Sequence, residues 1–219
     1  MKTKISVAAK LVLSTLGLSA AAFAATPAYA QWYAGASVGR SDINFDNAAQ
    51  ADQFLDLGFT SASTTSSNRG TGYRAFGGYQ LHKYIAAEIA YVDVGRFEAR
   101  SQVTPTGVLT NATKIDGGEI SIVGTLPIGE RFGIFGRVGA FAAETRTTYV
   151  GTGSVITING NEIQKSHRTN LSYGAGVNYN FNKNISVRAD WSRFTKLGDP
   201  FTGGKTDANL YAVGLVYRF

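Results

Sequence analysis

The sequence of 219 residues contains no cysteine, few charged residues and no long apolar run outside its N-terminus. The absence of cysteine excludes a disulfide framework and any metal or nucleophile site that depends on a thiol. Beyond the N-terminus, no stretch approaches the roughly 20 apolar residues that a membrane-spanning helix requires. Aromatic residues nevertheless make up 12% of the chain, and there are 26 glycines. A chain of this length and composition can bury enough apolar surface to form one folded domain.

Residues 1–30 have the composition of a secretory signal peptide. Three lysines lie within the first ten residues, an apolar stretch covers 11–23, and residues 28–30 form an A-x-A cleavage site. An N-terminal anchor helix is the alternative, but the apolar stretch is short and small residues close it. Cleavage after Ala30 removes three of the 21 basic residues and none of the 15 acidic residues, so the net charge falls from +6 to +3. Such a small charge does not predict nucleic-acid binding.

From residue 31 onward, apolar residues recur with a period of two. In 171–181, every odd position is apolar and every even position is small or polar. Successive side chains of a strand point to opposite faces, so the pattern predicts a sheet whose two faces meet different environments. Seven further segments show the same alternation, and they begin at Trp32, Tyr73, Ile85, Glu119, Phe132, Ile185 and Tyr211. The polar face of three segments also carries larger apolar residues, which are Val92, Val123, Phe135 and Phe141.

The predicted connectors alternate between short and long. Three of them are turns of two or three residues, at 82–83, 129–131 and 182–184. The other four are rich in Ser, Thr, Asn, Gly and Asp, and they cover roughly 41–70, 96–114, 148–169 and 198–208. Short periplasmic turns and long outer loops are typical of outer-membrane barrels. We therefore expect four long, mobile loops on the extracellular side.

Alternation alone does not say which face points outward, because a soluble lipocalin-like barrel would place the apolar face inside. The polar face is crowded with Gly, Ala and Ser, which a narrow eight-stranded interior requires. Aromatic residues lie near the strand ends of the apolar face, as interfacial girdles require. Phe219 ends the chain on that face, together with Tyr217, and resembles the signal that outer-membrane assembly machinery reads. We therefore predict an all-β, eight-stranded antiparallel up-and-down transmembrane β-barrel over 31–219.

Five stretches resemble the transmembrane domain of the OmpA family of small outer-membrane barrels. They are WYAGASVGRS from Trp32, AFGGYQL from Ala75, AAEIAYVDVGR from Ala86, NKNISVRADWS from Asn182 and NLYAVGLVYRF from Asn209. OmpX/Ail and opacity proteins share this architecture. The resemblance implies the outer membrane of a Gram-negative bacterium. The implied partners are outer-membrane lipid, lipopolysaccharide, the assembly machinery and periplasmic chaperones. The sequence has no peptidoglycan-binding domain after the barrel, so we expect that the protein does not tether the membrane to the cell wall by itself.

Three basic and three acidic residues fall on the predicted inward face, and they are Arg74, Glu88, Glu119, Arg137, Arg188 and Asp190. Buried charges are tolerated only when paired, so a narrow lumen requires such a balance. In the OmpA resemblance, Glu88 and Arg188 match an interior pair thought to gate a small channel. The family's alternative lysine partner and a further interior glutamate correspond to Val123 and Asn178, a departure that weakens the gate hypothesis. A structural network that fills the lumen and a small pore both remain open.

An enzyme would need a nucleophile with a placed base. The only histidines are His82 and His167, and no Ser or Asp has a spacing that places it beside either of them. We therefore predict no catalytic, cofactor or metal site. Three hypotheses from different classes follow. The first is a structural outer-membrane component with a closed or weakly conducting lumen. The second is an adhesin or immune-evasion protein whose loops bind host surface ligands. A lipid-modifying enzyme is the least favoured.

Overall fold

The computed structural model describes residues 31–43, 61–104, 107–153, 162–197 and 206–219. The described strands are β1 (Gln31–Ile43), β2 (Ser61–Ser67), β3 (Arg69–His82), β4 (Ile85–Thr104), β5 (Gly107–Ile128), β6 (Phe132–Gly153), β7 (Glu162–Asn180), β8 (Ile185–Leu197) and β9 (Thr206–Arg218). Within these ranges, we find no helix whose length and hydropathy would let it span a bilayer. The predicted signal peptide, residues 1–30, lies outside the described residues.

Eight of the strands form a closed antiparallel ring in the order β1-β3-β4-β5-β6-β7-β8-β9. The ring closes because β1 pairs with both β3 and β9, and β4 pairs with both β3 and β5. Strand β2 is separated from β3 only at Asn68, and it pairs with the distal part of β4, from Ser61 opposite Thr104 to Ser67 opposite Glu98. It is thus a continuation of β3. The predicted eight-stranded up-and-down barrel is confirmed, and its closure leaves no unpaired edge within the bilayer.

The apolar face of the barrel points outward. Ile120 is 70% exposed and Leu215 is 61% exposed, although both lie within strands of the ring. On β6, the apolar band runs from Phe132 to Ala142. The ten steps between these residues, with a rise of about 3.3 Å each and a tilt of about 40°, span about 25 Å, which is the height of the lipid-facing band of such barrels. A continuous apolar belt of this size requires lipid around it.

Aromatic side chains border the apolar band at both ends. At the periplasmic end, the ring centroids of Trp32 and Tyr79 lie 4.8 Å apart. At the extracellular end, the rings of Tyr173 and Trp191 pack edge to face at 5.8 Å. Amphipathic rings are favoured at the two membrane–water interfaces, so these residues mark the upper and lower limits of the spanning region.

The three predicted short turns are present on the periplasmic side. The first turn covers residues 83–84, the second 129–131 and the third 181–184. Gly129 has a φ of +65°, in the left-handed region that favours glycine because it has no Cβ. Asn182 fixes the third turn, because its Oδ1 accepts hydrogen bonds from the backbone N–H groups of Asn184 and Ile185 at 2.9 and 2.7 Å.

The prediction of long outer loops is wrong for most of 96–114 and 148–169, whereas most of 41–70 and 198–208 lies outside the described residues. Strand β4 reaches Thr104 and β5 begins at Gly107, so the predicted loop 96–114 is almost entirely a hairpin. Much of 148–169 is likewise strand in β6 and β7, and β2 occupies part of 41–70. Above the membrane the outer face becomes polar, so the alternation that identified the strands disappears. Threonine and valine still favour extended backbone there. Residues 44–60, 105–106, 154–161 and 198–205 lie outside the described residues.

The interior is filled in three layers, which β4 and β6 show most clearly. Ala86, Glu88 and Val92 follow one another up the inward face of β4, and Phe135, Arg137 and Phe141 do so on β6. The lower apolar cluster consists of Tyr33, Phe76, Ala86, Val123, Phe135 and Val216. The upper apolar cluster consists of Ile43, Val92, Val94, Phe97, Ile115, Phe141, Ala143, Phe194, Leu197, Ala208, Leu210 and Ala212. The charged residues lie between these clusters.

Candidate functional site: the charged lumen

Glu88 is the centre of the charged layer and is only 1% exposed. Its Oε2 accepts hydrogen bonds from Arg188 Nη1 at 2.9 Å and from the Tyr33 hydroxyl at 3.1 Å. Its Oε1 accepts a hydrogen bond from Arg74 Nη2 and lies 3.5 Å from Arg137 Nη1. Three guanidinium groups therefore converge on one carboxylate. Those of Arg137 on β6 and Arg188 on β8 reach it across the lumen, because β4 pairs with neither of these strands.

The other two acids complete the network. Glu119 Oε2 accepts hydrogen bonds from Arg74 Nε at 3.2 Å and Nη2 at 3.0 Å, and its Oε1 accepts one from Ser172 Oγ at 2.7 Å. Asp190 Oδ2 accepts a hydrogen bond from Arg137 Nη2 at 3.3 Å. Every acid thus has an arginine partner, and the formal charges of the six residues cancel. Because an unpaired buried charge costs several kcal/mol, this pairing makes the charged layer tolerable.

Arg188 is held on several sides. Its guanidinium carbon lies 4.8 Å from the centroid of the Phe76 ring and 4.5 Å from that of Phe135. Its Nε donates to Asn178 Oδ1 at 3.2 Å. Val123, where the resemblance has a lysine, belongs to the lower apolar cluster and offers Glu88 no alternative partner. Position 123 therefore supplies no base for the exchange of partners that the gate hypothesis requires, although Arg74 and Arg137 also contact Glu88.

All six inward charges that the sequence singled out meet in this network. Sequence reasoning missed the neutral side chains that hold them, above all Tyr33, Ser172 and Ser192. Ser192 accepts a hydrogen bond from Arg137 Nη2 at 2.5 Å and donates one to Asp190 at 3.1 Å. The two-residue alternation of each strand places these residues on the inward face. It does not show which side chains contact each other across the lumen.

The two histidines lie at opposite ends of the barrel. His82 is the last residue of β3 at a periplasmic turn, with its ring 5.8 Å from that of Tyr84. His167 lies on β7, directly opposite Glu144 of β6 on the extracellular side. They cannot share one site. Within the described part of the chain, no group of three or more His, Asp or Glu side chains is arranged to hold a metal ion.

A closed antiparallel ring, an apolar lipid-facing band with aromatic borders and a charge-balanced interior define an integral β-barrel protein of the outer membrane. The family model for the OmpA-like transmembrane domain matches residues 27–219. The chain therefore belongs to the OmpA-like transmembrane domain family, and its location is the cell outer membrane.

Known proteins similar to the chain agree with this assignment. Outer membrane protein A from Salmonella typhi is 29% identical over 223 residues, which cover 100% of this chain and 55% of the relative. The same protein from Escherichia coli O157:H7 is 28% identical over 223 residues, with the same two coverages. The chain thus spans about half the length of the curated relatives it matches. The crystal structure of OprG from Pseudomonas aeruginosa is 15% identical, covers 87% of this chain and 95% of its own, and superimposes with a TM-score of 0.50. This likeness shows the fold alone.

Proposed function

We propose that this protein is a structural component of the outer membrane, with a lumen that is closed to ions. The upper apolar cluster carries this proposal. Phe141 and Phe194 are 0% exposed, and their ring centroids lie 4.7 Å apart within the cluster. An apolar constriction resists wetting, so it blocks ions even where the layer below it is charged. In the small-pore alternative, both the upper apolar cluster and the ion pairs below it would have to open.

Planar-bilayer recordings of the refolded barrel test the proposal. We expect no conductance steps from the wild type or from Glu88→Gln, because the upper apolar cluster is intact in both. The double variant Phe141→Ala/Phe194→Ala should admit water and conduct weakly. Phe132→Ala, which removes an outward-facing ring, is the matched control and should stay closed. Steps in the wild type that change in Glu88→Gln would instead support the gated pore.

We propose that Tyr217 and Phe219 form the segment that the assembly machinery and periplasmic chaperones recognise. Their rings pack edge to face at 5.2 Å on the outward face. The backbone N–H of Phe219 donates to the carbonyl oxygen of Trp32 at 3.0 Å, at the seam where the barrel closes.

We also propose that residues 1–30 are removed as a signal peptide after Ala30 and that the barrel domain is 31–219. N-terminal sequencing of the protein from outer membranes tests the cleavage.

We propose that lipopolysaccharide contacts a row of bases across four strands. Arg96 lies opposite Lys114, Lys114 opposite Arg146, and Arg146 opposite Lys165, just above the apolar band. Outward basic side chains at this level suit the phosphate groups of the outer leaflet. Acidic neighbours contact some of the row, such as Glu144 at 2.7 Å from Arg146. Glu144 also interacts electrostatically with Lys165, so this acid is shared between two bases of the row.

A surface-interaction role is the second candidate. The hairpins β4–β5 and β6–β7 continue as paired sheet to Val103–Gly107 and Tyr149–Glu162, well beyond the apolar band. A paired sheet holds its side chains at fixed spacings. It therefore loses less conformational entropy when it binds a surface ligand than a mobile loop would. Removal of 98–112 should abolish binding to host cells while the barrel still folds. Equal binding by the trimmed and intact proteins would contradict this role.

Because the two histidines lie at opposite ends, we do not propose the lipid-modifying activity.

A further inference from the structure

We propose that the periplasmic mouth of the barrel binds a small oxyanion, a solute that carries a phosphate or carboxylate group. A cavity of about 250 Å³ lies there, next to the lower apolar cluster. Its lining includes the basic residues Lys83, Arg188 and Arg218 and no acidic residue. The cavity therefore combines a partly enclosed space with an excess of positive charge.

Arg218 is the base that the protein leaves without a counter-charge. Its side chain is half buried, and its Nη1 donates to Asn180 Oδ1 at 3.0 Å. Among the described residues, no carboxylate lies within 4.0 Å of its guanidinium, whereas Arg74, Arg137 and Arg188 all have such a partner. Partial burial of a charge is costly without a counter-ion, so this position favours an anion from the periplasm.

Arg188 forms the inner wall of the cavity. Its Nη1 donates to Glu88 and its Nε to Asn178, and the guanidinium also interacts with the Tyr33 hydroxyl, which lines the same cavity. Glu88 lies behind it, in the charged layer, and does not line the cavity. An anion in the cavity would therefore meet two guanidinium groups, while the acid that neutralises one of them lies on the far side.

The lining determines the class of ligand. Guanidinium groups recognise phosphate and carboxylate through paired hydrogen bonds, and the neutral Gln31, Gln80 and Thr125 side chains can bind the remaining oxygens. Lys83 lies in a turn at the entrance, where its Nζ is 5.3 Å from the centroid of the Tyr84 ring, and it adds a positive charge. A cavity of this size suits one small anion and its waters, and it excludes a folded partner. The site faces the periplasm, so it does not require the lumen to conduct.

Titration of the refolded, ¹⁵N-labelled barrel in detergent micelles tests the site. Sodium phosphate and sodium acetate are added in separate arms, and chloride keeps the ionic strength constant. We expect saturable amide shifts at Gln31, Lys83 and Arg218. Arg218→Gln should weaken binding about ten-fold, because it removes charge-assisted hydrogen bonds. Lys83→Gln should weaken it roughly three-fold, since an exposed lysine contributes less.

Lys183→Gln is the matched control, because Lys183 is also a lysine in a periplasmic turn but does not line the cavity. It should leave the affinity within about two-fold of the wild type. Saturation by both salts supports a general oxyanion site, and saturation by phosphate alone supports a phosphate site. Shifts that do not saturate by about 100 mM, or equal losses in Lys83→Gln and Lys183→Gln, would overturn the proposal. Because Lys83 lies in a turn, its variant keeps the test valid even if Arg218→Gln fails to fold.

Discussion

Replacement of Glu88 by glutamine should destabilise the barrel far more than any exposed charge change. The variant keeps the size of the side chain but leaves three arginines with two acids in the lumen. Arg74 still has Glu119 and Arg137 still has Asp190, whereas Arg188 loses its only acidic partner among the described residues. Removal of one partner from a buried ion pair costs about 3–5 kcal/mol. We expect a loss near the lower limit, because Arg188 borders the periplasmic cavity.

Urea titration of the barrel refolded in lipid vesicles, followed by tryptophan fluorescence, measures this loss. Glu98→Gln is the control, because Glu98 pairs with Arg96 at 3.4 Å and both side chains are exposed. It should cost less than about 1 kcal/mol. The double variant Glu88→Gln/Arg188→Gln removes both charges, so it should regain part of the stability that Glu88→Gln loses. If Glu88→Gln and Glu98→Gln have equal stability, water must solvate the lumen charges, and the argument that Glu88 is a buried and essential counter-charge fails.

Three further outcomes are expected. Gly78→Ala should cost about 1–3 kcal/mol in the same titration, because its Cβ would lie 2.1 Å from the Tyr33 ring. Gly77→Ala has its nearest neighbour at 3.9 Å and should be close to neutral, and equal losses would contradict the packing of this ring. Phe219→Ala should lower the amount of barrel in the outer membrane of cells several-fold and leave refolding in vitro unchanged, whereas normal cellular levels would remove its role in assembly. Lys165→Gln should reduce the rise in thermal stability that lipopolysaccharide produces in vesicles, and a lysine variant on the periplasmic turns should show the full rise.

The strands and their orientation could be predicted because they depend on neighbours in the sequence. Alternation in 171–181 identifies a strand with one apolar face, and the small residues opposite require that face to point away from a narrow interior. The extensions of β4 and β5 above the membrane could not be found in this way. Arg96, Glu98 and Arg100 occupy the outward positions there, so polar residues replace the apolar ones and the signal is lost.

The site divides in the same manner. The two-residue alternation assigns Glu88 and Arg188 to the inward face. Their distances from the periplasmic turns along the sequence indicate a similar depth in the barrel. The stacking of Arg188 between Phe76 and Phe135 depends on which strands face each other across the lumen. That arrangement follows from the register of the whole ring, which no single segment contains.

The sequence by itself determined that the chain forms a lipid-facing barrel with a neutral set of inward charges, because a strand fixes the direction of each side chain by its position alone. Only the tertiary structure decided how those charges pair. It also decided that apolar clusters lie above and below them, and that Arg218 opens into a cavity without an acid. Glu88 and Arg188 are 100 residues apart, and closure of the ring brings them to 2.9 Å. Contacts across the lumen are set by closure and register, and these are properties of all eight strands together.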